Sequence, residues 1–240
     1  MNGGQWAYDL HIHSALSPCG DKDMTPNNIV NMSLLKGLDI ISVTDHNSAK
    51  NLPAIFEISK DREILIIPGI EVNSKEEVHL LCYFPTLDSA MNFDKHLESH
   101  LPAIKNRKEI FGQQIILNSK DQAVGEVDYL LINALDLTID EIFALVRKWK
   151  GVVIPAHIDR DSFSIISNLG FIPPHLPIRT IELSFNVKGE TLKVWENQYK
   201  DLQIIQSSDA HSLENILERQ SFLSLDKLNI ERIFNFFNNT

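Results

Sequence analysis

The sequence predicts an α/β fold on a parallel sheet, open or closed into a barrel. Short apolar runs alternate with helical segments along most of the chain, as βαβ units do. Side chains able to bind metal recur where those runs end, on the rim where such folds place their sites. The 240 residues are enough for one large domain, and a single α/β barrel over 1–240 fits this length.

Residues 6–13 read as the first strand. Thr25 then caps a helix, Pro26 occupies its first turn and Gly37 ends it. Residues 39–44 form a second apolar run, 52–59 a helix, and 64–67 a third strand closed by Pro68-Gly69. Residues 78–84 form the fourth strand, 151–156 the fifth, 180–185 the sixth and 202–206 the seventh. The fifth is continuously apolar, as strands buried in parallel sheets are. Helices are predicted over 190–199 and, amphipathic, over 229–238. The segment 86–137 breaks the rhythm: it is more polar, clusters Lys105, Arg107, Lys108 and Glu109, and contains no convincing buried strand. It reads as a partly helical insertion at the mouth of the sheet, forming a cap beside the rim. Thr138-x-x-Glu141 then fits a capping box, starting a helix that ends at Gly151.

The net charge of −10 argues against tight nonspecific binding to a polyanion, so stable nucleic-acid binding is not expected. A small phosphorylated substrate stays open, because bound metal supplies local positive charge. The two cysteines, Cys19 and Cys82, make no disulfide framework and are expected to be reduced. No apolar run reaches the ~18 residues that span a bilayer. The N-terminal residues lack the order of a signal peptide, so a soluble, cytoplasmic protein is expected. Oligomeric state is not legible.

His11 and His13 end the first strand; two apart, they share a face and can reach one ion. Asp9 lies on that face and can fix a histidine tautomer. Asp45-His46 leaves the second strand, and Glu71 is an acid among apolar residues, costly unless paired or metal-bound. His157 ends the fifth strand, and Asp209 and His211 follow the seventh. His79, alone in an apolar strand, reads by itself as a core residue, as does Cys82. His96, His100 and His175 read as surface residues.

Taken in order, Asp-Leu-His-Ile-His, Thr-Asp-His, Pro-Gly-Ile-Glu, a strand histidine, Pro-Ala-His and Ser-Asp-Ala-His resemble the motifs of the polymerase-and-histidinol-phosphatase (PHP) family over residues 9–211. The resemblance implies a distorted (β/α)7 TIM-like barrel holding two or three divalent ions of zinc, manganese or iron. It implies that His11, His13, Glu71 and Asp209 hold one ion. Glu71 would bridge to a second on His79 and His157. His46 and His211 would hold a third, with Asp45 as ligand or supporting partner. The loop 14–21 departs from the family in offering Cys19 or Asp21 as the remaining ligand; a thiolate favours zinc, a carboxylate manganese.

The implied activity is hydrolysis of a small phosphate monoester, of the histidinol-phosphate or nucleotide kind, by a metal-bridging hydroxide. His211 or Asp45 would protonate the leaving oxygen. Arg160, three residues past His157, suits a phosphate, although a rim salt bridge with Asp159 or Asp161 is equally open. Asn47 and Asn73 follow ligand motifs and would donate hydrogen bonds to substrate. The competing readings are 3'-5' exonuclease-type processing of DNA ends, a C–N hydrolase, and a non-catalytic, metal-stabilised interaction module.

Overall fold

The computed structural model describes residues 4–238; residues 1–3 and 239–240 of the expected 1–240 domain lie outside it. The strands are β1 (Gly4–Ile12), β2 (Ile40–Val43), β3 (Leu65–Ile66), β4 (Gly69–Asn73), β5 (His79–Tyr83), β6 (Ile115–Leu117), β7 (Ala123–Glu126), β8 (Val152–Pro155), β9 (Thr180–Ser184), β10 (Gln203–Ser207) and β11 (Phe222–Leu225). The helices are α1 (Pro26–Leu35), α2 (Leu52–Ser59), α3 (Leu87–Leu97), α4 (Lys108–Phe111), α5 (Ile139–Lys148), α6 (Ile165–Leu169), α7 (Gly189–Gln198) and α8 (Ile230–Asn238). Strand and helix alternate as an α/β fold requires.

Local chemistry sets the helix ends. The Thr25 side chain accepts from the Asn28 amide, Pro26 opens α1, and Gly37 takes the left-handed backbone (φ 73°) that follows it. In α5, Thr138 and Glu141 form the reciprocal capping box. Ile139, Ile142, Phe143 and Val146 recur at helical spacing and bury one face of α5. No helix among the described residues is long and apolar enough to cross a membrane.

The closed parallel barrel is not what the backbone forms. The described strands fall into four sheets: β11-β1-β2-β3, β4-β5-β8, β9-β10 and the hairpin β6-β7. Isolated parallel bridges, Ile12 to Ala210 and His46 to Glu71, link edges that do not continue as ladders. β5 runs antiparallel to both β4 and β8, and β11 antiparallel to β1. The reason lies in connection length. Residues 74–78 alone join β4 to β5, which permits a hairpin but not a parallel crossover. Gly69 was expected to close a strand; it opens β4 instead. A Cβ there would lie 2.4 Å from Ser42 Oγ and 2.7 Å from Thr44 Cγ2, so only glycine lets β4 approach β2 so closely.

Strands from three of these sheets still enclose one apolar cluster, which includes Tyr8, Leu10, Ile40, Leu81, Tyr83, Ile154 and Ile205. Ile233 and Phe237 of α8 pack into the same cluster. A second, larger cluster joins the strands to the helices through Ile41, Val43, Ile55, Val72, Leu80 and Ile142.

The segment 86–137 contains α3, α4 and the hairpin β6-β7, of which β7 is largely exposed and β6 partly buried. It is tied to the rest by polar contacts. The Asn51 side chain donates to the Ile115 carbonyl (3.1 Å) and accepts from the Leu117 amide (2.8 Å). Asp121 accepts from Thr25 Oγ1 at 2.7 Å and Asn27 Nδ2 at 3.0 Å.

Candidate metal centre

Glu71, buried in the middle of β4, is the hub. Its Oε1 lies 2.9 Å from His79 Nδ1, 3.2 Å from His11 Nε2 and 3.3 Å from His157 Nε2. Its Oε2 lies 3.0 Å from His46 Nδ1 and 3.3 Å from His13 Nε2. Asp209 Oδ1 closes the far side, 3.0 Å from His13 Nε2 and 3.2 Å from His11 Nε2. These side chains arrive from the ends of β1, β2, β8 and β10, from the start of β5 and from within β4.

Two imidazoles are oriented from behind. His11 Nδ1–H donates to Glu182 Oε2 at 3.0 Å, and the same oxygen accepts from the His157 amide at 3.0 Å. Ser17 Oγ donates to Asp45 Oδ1 at 2.7 Å, so its lone pair is what meets His13 Nδ1–H at 2.9 Å. Both arrangements put the hydrogen on Nδ1 and turn Nε2 to the cluster, as carboxylate–histidine–metal triads do. Glu182 was absent from the residues picked out in the sequence.

The electrostatics match a cation site. Burial works to raise the pKa of Glu71, but His79, His11 and His46 outweigh it and hold the carboxyl well below its usual range. Asp209 is held down despite its burial by His11 and His13. Burial pulls His13 and His46 down, yet Asp209 and Glu71 lift His13, and Glu71 with the Cys19 side chain lifts His46, each to about 9. For His79 and His211 burial wins, and each falls to about 4. The two carboxylates and the imidazoles around them thus favour positive charge at this spot, which divalent ions can supply. Glu71 Oε2, Asp209 Oδ1 and His46 Nδ1 are buried without a well-formed hydrogen bond, although His46 and Glu71 lie close, as groups aimed at a shared cation would be. The side chains His11, His13 and Glu71, then His46, Glu71 and His79, and then His13, Cys19, His46 and His211 each offer ligand atoms within 4.8 Å of one another. The donor set fits divalent metal ions.

The sequence profile of the PHP domain matches residues 9–158. The chain belongs to the PHP domain family. An uncharacterized protein of Methanocaldococcus jannaschii is 28% identical over 196 residues, which are 81% of this chain and 20% of that protein. A 5'-3' exoribonuclease of Haemophilus influenzae is 26% identical over 91 residues, 37% of this chain and 29% of that enzyme. This PHP chain therefore spans a minor part of those relatives' lengths. In fold it is similar to the lesion-specific endonuclease PfuEndoQ of Pyrococcus furiosus, at TM-score 0.72 and 21% identity, over 99% of this chain and 56% of that one.

Several residues lie elsewhere in the PHP chain than the motifs suggested. Asp45 does not face the cluster: its carboxylate accepts from the Ser14 amide (2.7 Å), Ser14 Oγ (2.6 Å) and Ser17 Oγ (2.7 Å). These three bonds turn Asp45 toward the loop at Ser14 and Ser17, and it stands outside the groups of side chains whose ligand atoms lie close together. Asp9 orients no histidine; it accepts from the Ser208 and Leu217 amides. Asp21 stands outside the ligand groups, its carboxylate accepting from the Asp23 amide, whereas Cys19 stands inside one. Asn47 Nδ2 donates to the Leu131 and Asn133 carbonyls, and Asn73 Nδ2 to that of Ile132. Both amides hold residues 131–133 against the site instead of reaching into it. Arg160 pairs with neither Asp159 nor Asp161: its Nη1 lies 2.6 Å from Asp209 Oδ2. His211 Nδ1–H donates to the Asp209 carbonyl at 2.8 Å, leaving Nε2 as a lone-pair donor.

If Glu182 sets the His11 tautomer, Glu182→Gln should weaken metal binding about 10- to 100-fold, the usual cost of losing such a partner. Competition against a chromophoric chelator measures it; unaltered affinity would leave Glu182 a purely structural acid.

Proposed function

We propose that this chain is a metal-dependent hydrolase of phosphate esters. The observation that carries the reading is the Glu71 carboxylate, buried and met by the imidazoles of His11, His13, His46, His79 and His157 within 3.3 Å. In this reading His11, His13, Glu71 and Asp209 hold one ion, Glu71, His79 and His157 a second, and His46, His211 and Cys19 a third. Zinc, manganese or iron suit that mixed donor set. Such ions supply Lewis acidity, lowering the pKa of water and neutralising phosphoryl charge.

The protein's own groups do the rest. Glu182 and Ser17 hold the His11 and His13 rings in one tautomer. The cluster opens on a cavity of about 260 Å3, whose walls include Arg160, Ile132 and Phe163. Arg160 carries its guanidinium to the wall beside Asp209, where it can take phosphate oxygens in pairs. Ile132 and Phe163 are apolar and limit water at the mouth. His211 acts as a ligand, since its Nδ1 hydrogen is committed to a backbone carbonyl.

A small phosphate monoester is one substrate reading, and its size fits the cavity. The second is a nuclease, favoured by the likeness to the exoribonuclease and to the endonuclease, whose work on nucleic acid belongs to those proteins. Phosphate release from a panel of monoesters and cleavage of an end-labelled oligonucleotide, each with and without chelator, test the proposal. Chelator-sensitive activity restored by zinc or manganese is expected. Hydrolysis of a simple amide alone would overturn it.

The segment 86–137 is proposed as the part that selects substrate, because Ile132 lines the cavity and residues 131–133 are anchored by Asn47 and Asn73. Asn47→Ala removes two of those anchors. It should change the ranking of substrates while retaining bound metal; an unaltered ranking would separate the segment from selection.

A further inference from the structure

We propose that Phe163 is the surface on which a nucleobase of the substrate stacks beside the metal centre. The inference rests on the phosphate-ester reading above and names the substrate class: a nucleotide, free or at the end of a strand.

Four observations converge on this side chain. Phe163 lines the same cavity as Glu71, His79, His157 and Arg160. Phe163 stays 42% exposed, although a large apolar residue beside a cavity would gain by burial. Phe171 and Phe222 are as exposed, but neither lines this cavity. The backbone at Phe163 is left-handed, φ 56°, which is strained for a bulky residue and persists only where the surroundings enforce it. Those surroundings are on view: its carbonyl accepts from the His79 amide at 2.9 Å, and its ring stacks on the His79 ring at 4.9 Å and 21°. The chain holds an aromatic face at the mouth one ring away from the Glu71 cluster.

That placement suits a particular ligand. A phosphate drawn to the cluster and Arg160 brings its sugar and base along the cavity wall. A ribose presents hydroxyls, which gain little from an apolar face. A nucleobase presents a flat π-surface, which stacks on an aromatic side chain whatever its sequence. Ile132 supplies a second apolar surface in the same cavity.

The test compares wild type with Phe163→Leu and Phe163→Trp. Hydrolysis of a nucleoside 5'-monophosphate is measured against ribose 5-phosphate, which differs only by the base. A short single strand is measured against the same strand with an abasic residue at the cleaved end. The base-bearing to base-free ratio of kcat/KM should fall about tenfold or more in Phe163→Leu, the usual scale of one lost stacking contact, and persist in Phe163→Trp. The pair in which it falls identifies free nucleotide or strand as the source. Independently of turnover, zinc-loaded wild type should quench 2-aminopurine riboside monophosphate, and Phe163→Leu should not. Equal loss on both members of each pair, or quenching unaltered by the substitution, overturns the proposal. Quenching without hydrolysis of any ester would sink the hydrolase reading and leave the stacking surface standing.

Discussion

Glu71→Gln is expected to empty the site and abolish hydrolysis. Both Glu71 oxygens contact imidazole nitrogens, so no other side chain joins so many of the candidate ligands. Glutamine keeps the size but loses the charge, and its amide nitrogen cannot coordinate. Turnover should drop by more than the ~10²–10³-fold that losing one preorganised electrostatic contact costs. Metal content by elemental analysis should fall below that of wild type, while circular dichroism stays native. Full activity in Glu71→Gln would remove the carboxylate from the mechanism.

Asp45→Ala should destabilise the fold instead of acting at the metal. Asp45 is 2% exposed and receives three hydrogen bonds from Ser14 and Ser17. Its removal leaves buried donors unpaired at about 1–3 kcal/mol each, so the loss should be on the order of 3 kcal/mol or more. Urea denaturation should show a lower midpoint with an unaltered slope. Because Ser17 also meets His13, some metal affinity should go with it; refolded Asp45→Ala given excess zinc should still turn over. Native stability combined with lost turnover would return Asp45 to the chemistry.

Most of the centre was legible because strand geometry makes it so. His11 and His13 alternate onto one face, and ligand residues at strand ends gather on one rim. Glu71 and Glu182 carry the same signal, an acid inside an apolar strand, since neither charge is tolerable there without a partner. Only Glu71 has a motif around it, and Glu182 passed unremarked in Thr-Ile-Glu-Leu-Ser. Asp45 was less legible for the opposite reason: it adjoins His46, but its carboxylate turns toward the loop at Ser14 and Ser17, a destination that spacing along the chain does not encode. The barrel failed at β4. Pro68-Gly69 looked like a terminator, whereas the glycine is there for close approach, and the short turn after β4 makes the next strand antiparallel. β11 alternates over only four residues, too short a run to stand out.

The central claim is that Glu71 joins two or more metal ions. An anomalous difference map from a crystal grown with manganese tests it most directly. At least two peaks are predicted, sharing the Glu71 carboxylate, with His11, His13 and Asp209 on one and His79 and His157 on another. A map with no peak at Glu71, or with a single ion bound elsewhere on the protein, would contradict the account.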